Sequence, residues 1–159
     1  MEGEAKTQAL RSFNYGVYVI GTRNEDHDVN AYLGTWVTQT SFDPPLVAIA
    51  VREGTTSQAM IADTGVFTIN VLEAGQKELA AHFLRPVTRV GNKLATVEFY
   101  TAETGAPILK EALSFLECRV VDKIERGDHW LYVGAVAGAG VHRAGESLVL
   151  RSTGWKYGG

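Results

Sequence analysis

At 159 residues the chain has the length of one domain and enough material to bury a core without disulfides or structural metal. Apolar residues make up 45% and charged residues 21%, an ordinary balance for a soluble globular protein, and the 17 glycines favour many turns and short strands. A formal charge of −3 with a pI near 5.8 argues against a nucleic-acid surface, because phosphate binding needs clustered Lys and Arg.

No apolar run approaches the roughly 20 residues needed to cross a bilayer. The opening MEGEAKTQAL carries acids where a signal peptide has a basic and then an apolar region, so no membrane association and a cytoplasmic location are expected. Residues before about Thr7 read as a frayed terminus, and Thr7 to Arg11 as a short helix. Phe13 to Thr22, FNYGVYVIGT, is rich in aromatic and β-branched residues and reads as a strand, with Gly16 at a bend or close backbone approach. The polar tip RNEDHDVN makes a hairpin loop, and its His27 is expected to be exposed and without function.

Asn30 to Arg52, NAYLGTWVTQTSFDPPLVAIAVR, holds two β-prone runs joined by the hydroxyl-rich Thr38-Gln39-Thr40-Ser41 and closed by Asp43-Pro44-Pro45. Adjacent prolines cannot both donate to a ladder, so one strand must stop before them and another start after them. Backbone N–H groups and small hydroxyls are then left at a strand end, where they suit a ligand rich in acceptors, such as a flavin or a phosphate.

Thr55 or Thr56 caps a short helix that Gly65 ends, and Val66 to Leu72 follows as a buried strand. Gly75 to Leu84 places Leu79, Ala80 and Phe83 on one helical face, and Pro86 stops it with Arg85 at the end. Beyond it, a strand at Thr96 to Tyr100 is the readable piece. Ala112 to Arg126 reads as one long strand, turned by Gly127-Asp128 into HWLYVGAVAGAGV, and SLVLRS as a last strand. Cys118 alternates with charged neighbours in FLECRVV and is expected to be a buried thiol, not a nucleophile.

Strands follow one another, about seven of them, which predicts a mainly β, largely antiparallel barrel or sandwich with few short helices. With no repeat and no linker, residues 1–159 form a single domain. His27, His82, His129 and His142 fall in separate elements with one cysteine between them, so no metal site is expected. A nucleophile elbow and a phosphate-binding lysine loop are missing too, and Gly138, Gly140 and Gly145 do not have dinucleotide spacing. An enzyme built this way takes its chemistry from a bound cofactor.

WVTQTSFDPPL, with Asn30-Ala31 upstream and FTINVL, GQ, HFLR, APIL, FLEC and GDHWLYVG downstream in order, resembles the flavin reductase-like FMN-binding family. The likeness is strongest to the flavin reductase domains of diflavin flavoproteins and of rubredoxin-linked reductases. It implies a split β-barrel that binds FMN at a homodimer interface and reduces flavin with NADH or NADPH. It also implies electron delivery to free flavin or to a redox partner such as rubredoxin; a non-catalytic FMN-binding electron carrier on the same barrel is the alternative.

By matching positions, the resemblance assigns Trp36, Val37, Thr38, Gln39, Thr40 and Ser41 to the isoalloxazine ring and ribityl chain. Ala50, Val51 and Arg52, with Ser57 at the helix start, line the ribityl and phosphate end, and His82, Phe83, Leu84 and Arg85 close it. Hydroxyls, amides at a helix start and a guanidinium suit a doubly charged phosphate, and Arg85 is its principal expected partner. His129 is assigned to the nicotinamide nucleotide. Tyr157 either covers the nicotinamide or packs on a partner subunit, and Trp36 is either a flavin contact or a core or interface residue. No catalytic acid, base or nucleophile is expected.

Overall fold

The computed structural model describes residues 2–84, 94 and 96–159. Its strands are β1 (Tyr18–Arg23), β2 (Val29–Gly34), β3 (Val37–Ser41), β4 (Leu46–Arg52), β5 (Val66–Val71), β6 (Phe99–Tyr100), β7 (Ile108–Leu109), β8 (Ser114–Ile124) and β9 (His129–Val141). Between them lie the helices α1 (Glu2–Arg11), α2 (Thr56–Thr64), α3 (Lys77–His82) and α4 (Leu150–Thr153). Seven strands form one antiparallel sheet in the order β2-β1-β5-β8-β9-β4-β3, and β6 pairs with β7 apart from it. The sheet curls until the Tyr32 hydroxyl of β2 donates to the Ala50 carbonyl of β4 at 3.2 Å, which makes a split barrel.

Both faces of β1 and β5 are buried, and alternation along them feeds two cores. Ile20, Val47, Ile49, Val51, Ile61, Phe67, Ile69, Cys118 and Tyr132 fill the inside. Val19, Leu72, Ala80, Phe83, Leu94, Leu109 and Leu148 make a second cluster on the outer face. Burial pushes the Cys118 thiol up to about 12, with the Glu117 carboxylate adding to it, so the cysteine is an inert core residue. Polar pins hold the layers together: Asn70 donates to the Val19 carbonyl at 3.0 Å and accepts from the Leu109 amide at 2.9 Å.

Helix α2 is bounded as its sequence dictates. Thr55 accepts from the Gln58 amide at 3.2 Å, and Gly65 closes the helix at φ 67°. The same Thr55 hydroxyl donates to the Arg52 carbonyl at 2.9 Å, tying the helix start to the end of β4. Replacing Thr55 with alanine should cost about 1 kcal/mol, read as a fall in Tm of roughly 2–4 °C by thermal denaturation.

Three expectations need correction. The amino-terminal segment is helical from Glu2, where acids in the first turn and Arg11 in the last complement the helix dipole. Phe13 to Val17 is not strand: only Gly16 bridges, to Val149, before β1 starts at Tyr18. SLVLRS contributes bridges at Ser147 and Val149 and then turns into α4. There the Ser152 and Thr153 hydroxyls donate to the carbonyls of Val149 and Leu150, and Gly154 at φ 80° ends the turn.

Candidate functional site

Strand β3 is an edge strand, paired only with β4, and its ladder slips between Gln39 and Ser41. Thr40 is therefore an extra residue without a partner on β4, a bulge of the kind that re-aims a strand end beside a site. Thr38, Gln39 and Thr40 are all exposed. The two prolines act as anticipated, since β3 ends at Ser41 and β4 begins at Leu46. Among the described residues this is where free backbone donors and small hydroxyls line an open edge.

Immediately before β3 the chain turns inward. The Ala50 amide donates to the Trp36 carbonyl at 3.1 Å, and the Trp36 ring lies over His129, centroids 4.7 Å apart. Tyr157 meets the Trp36 ring edge-on at 5.0 Å. β4 and β9 bring the rest into register, Arg52 opposite His129 and Ala50 opposite Leu131. The His129 Nε2 is 2.6 Å from the Tyr157 hydroxyl, and its Nδ1 is 2.8 Å from Asp128 Oδ1. That hydrogen bond from His129 holds the Asp128 carboxyl below its ordinary range. Tyr32 is pushed well up, first by burial and then by the neighbouring Tyr157 and Tyr132 hydroxyls.

These groups enclose a cavity of about 50 Å³ whose walls include Tyr32, Thr35, Trp36, Arg52, His129 and Tyr157. The tail that carries Tyr157 borders a much larger groove of about 1030 Å³ between α1 and the body of the protein. α1 buries none of its residues; it holds the tail by bonds from Arg11 Nε to the Gly158 carbonyl (3.0 Å) and from Thr7 to the Gly159 carbonyl (3.2 Å).

The expected site residues thus fall into three groups. Trp36, Ala50, Arg52, His129 and Tyr157 converge at one end of the β3-β4-β9 layer, and Val37 to Ser41 run from that end toward the other, where Ser41 lies opposite Leu46. Val51 and Ser57 stand beside them but are buried: Val51 is in the inner core, and the Ser57 hydroxyl lies 3.3 Å from both Thr22 Oγ1 and Asn30 Nδ2. His82, Phe83 and Leu84 end α3, and Phe83 is locked in the outer cluster, across the sheet from Val51. Arg85 lies outside the described residues.

Sequence reasoning missed Asp128, Tyr32 and Thr35. Asp128 had a signal in its adjacency to His129 on a glycine turn. Tyr32 and Thr35 had none, because their place in the wall depends on the curl that brings β2 over β4.

Trp36 Nε1, Thr35 Oγ1 and Asn30 Oδ1 are buried without a hydrogen-bond partner among the described residues, so donors and an acceptor beside the start of β3 suit a polar ligand such as a flavin. No group of three or more metal-ligating side chains occurs among the described residues, and no described helix is long and apolar enough to cross a membrane.

Comparison with known proteins identifies the family and the fold. Diflavin flavoprotein A 1 of Synechocystis is 33% identical over 138 residues, which is 86% of this chain and 24% of that protein. The chain spans between about a fifth and a quarter of the length of the curated relatives it matches. The NADH:FAD oxidoreductase SgcE6 of Streptomyces globisporus superposes with a TM-score of 0.79 at 30% identity, covering 86% of this chain and 81% of that one. It has also been solved in complex with NAD and FAD fragments. A structure from Haemophilus somnus superposes with a TM-score of 0.85 over 99% of both chains at 19% identity, a likeness of fold alone. The sequence profile described as the flavin reductase like domain matches residues 10–157, and the chain belongs to that family.

Proposed function

We propose that this chain binds FMN along β3 and reduces it with NADH or NADPH, passing the electrons to free flavin or to a redox partner such as rubredoxin. The observation that carries the reading is the exposed, bulged edge of β3, whose start adjoins the Trp36, His129 and Tyr157 cluster and whose bulge lies further along the strand. When bound, the flavin supplies the redox chemistry, accepting a hydride from the nicotinamide ring. The chain's part is position and polarity. Amides and hydroxyls of Thr38 to Ser41 orient the ring system, and the helix-start amides near Ser57 with Arg52 favour the phosphate end. His129 orients the nucleotide.

A homodimer belongs to the proposal. One chain leaves His82 to Leu84 across the sheet from the β3 edge, so a second copy is the means by which that segment, and Arg85 beyond it, would close the phosphate end. A cytoplasmic setting suits such an enzyme.

The second reading, an FMN-binding electron carrier with no nucleotide turnover, is favoured by one observation: with Tyr157 in place the cavity beside His129 has no room for a nicotinamide ring. Anaerobic addition of NADH and of NADPH to the FMN-loaded protein separates the two. Bleaching of the oxidised flavin band is expected with at least one donor, and a persistent yellow colour with both would leave the carrier. Titrations with FMN and with FAD give the flavin preference. Replacing His129 with alanine should lower kcat/KM for the donor about 10- to 100-fold, the worth of one or two lost polar contacts, while flavin stays bound.

A further inference from the structure

The side-chain chain Asp128, His129, Tyr157 has a direction. An ionised carboxylate only accepts hydrogen bonds, and a neutral imidazole carries one N–H. In the neutral ring, an Asp128 Oδ1 2.8 Å from Nδ1 favours the tautomer protonated there, which leaves Nε2 to accept from the Tyr157 hydroxyl at 2.6 Å. Asp128 is exposed, yet its backbone is fixed: Gly127 turns at φ 72°, and the Glu53 amide donates to the Asp128 carbonyl at 2.9 Å.

Tyr157 occupies the position that an incoming ring would need. Its ring packs on Trp36 and its hydroxyl is on His129, and the cavity that remains is about 50 Å³. An apolar cavity that takes benzene is about 150 Å³, so a space of about 50 Å³ is too small for an aromatic ring. A ligand ring therefore enters by displacing Tyr157, which strips Trp36 of an aromatic neighbour and Nε2 of a donor together. A planar ring that bears its own donor restores both. A phosphate restores neither, because it offers acceptors to an acceptor and approaches the Asp128 carboxylate; Arg52, exposed on the paired strand, is the group that suits it.

We propose that Asp128 is a positioning residue for the pyridine nucleotide: it holds the His129 proton on Nδ1, so that the nucleotide group taking the place of the Tyr157 hydroxyl at Nε2 is a hydrogen-bond donor, an amide N–H or a ribose hydroxyl. This rests on the reductase reading above for the identity of the ligand, but not for the state of His129.

The first test needs no flavin and no turnover. Nitrogen-15 histidine spectra of the flavin-free protein at pH 8, with the His129→Gln variant assigning the signal, should show a neutral ring protonated on Nδ1. Asp128→Ala should shift that ring toward the other tautomer, and Asp128→Asn, whose carbonyl still accepts, should largely retain it. A wild-type ring protonated on Nε2 or on both nitrogens, or an Asp128→Ala ring unchanged, would overturn the proposal. Adding reduced nicotinamide riboside should move the Nε2 resonance and inorganic pyrophosphate should not; the reverse pattern counts against it.

In turnover, Asp128→Ala should raise KM for the donor nucleotide about tenfold, the equivalent of one hydrogen bond, with a smaller change in kcat. Tyr157→Phe, which removes the competing hydroxyl, should lower KM. Effects confined to kcat in both variants would sink the assignment. A wild type that oxidises neither NADH nor NADPH would instead defeat the reductase reading, and the spectra would still decide the role of Asp128.

Discussion

Deleting Thr40 is expected to strip the protein of flavin and leave it folded. Thr40 is the residue by which β3 exceeds β4, and its removal lets Gln39 and Ser41 pair with Val47 and Leu46 in an unbroken ladder. The strand end would then no longer bulge, and the amides and hydroxyls of Thr38 to Ser41 would point along the sheet edge. Losing two hydrogen bonds to a polar or charged ligand, at about 1–3 kcal/mol each, weakens binding by roughly 30-fold or more. Stability should hardly move, because Thr38, Gln39 and Thr40 are exposed on an edge strand. Titration of FMN into the variant, with a melting curve beside it, checks both halves. An affinity within a few-fold of the parent would remove β3 from the site. Alanine at Thr38 or Thr40 should do much less, since it keeps the bulge and its amide.

Replacing Phe67 with alanine is expected to have the largest effect on stability. Phe67 is fully buried inside the barrel, and its ring lies so close over Gly134 of β9 that a Cβ added there would sit 2.6 Å from the ring edge and 2.9 Å from Cys118 Cβ. The glycine backbone and the ring fill the same layer, so neither neighbour can collapse into the space the ring leaves. A rigid site of this kind belongs at the upper end for Phe→Ala changes, about 3–5 kcal/mol, or on the order of 10 °C in Tm for a domain of this size. Differential scanning calorimetry measures it. A loss below about 1 kcal/mol would mean that β5 and β9 repack freely and that the glycine is not a packing device.

Much of the fold was legible because its signals are local. Thr55 and Gly65 bound α2 through chemistry carried within a few residues, and Pro44-Pro45 separate β3 from β4 for the same reason. Cys118 was readable as a buried thiol from alternation alone. The errors lie where local preference competes with something distant. Val149 and its apolar neighbours Leu148 and Leu150 look like strand, but the segment finds only single bridges to Gly16 and Glu73 and closes as a helical turn. At the other end, nothing buries α1, and its own propensity and charge placement decide.

The candidate site divides in the same way. Hydroxyls and prolines adjacent in sequence announced an open strand end, and the ordered motifs pointed to a flavin. The bulge at Thr40 was invisible, because register is a relation between two strands. Asp128 beside His129 was printed in the sequence but meant nothing until Tyr157, 28 residues on, was found against the opposite ring nitrogen.

By itself, then, the sequence determined the mainly β class, the ends of α2, the break between β3 and β4, and a family resemblance in which a cofactor carries the chemistry. These depend on backbone limits and on periodicity, which neighbouring residues impose on one another. Only the tertiary structure decided which residues meet: Trp36, His129 and Tyr157 in one cluster, Val51 and Ser57 turned inward, and Phe83 across the sheet. Such contacts arise from the curl of seven strands and the pairing of β4 with β9, and a side chain's partners there are set by packing over the whole barrel.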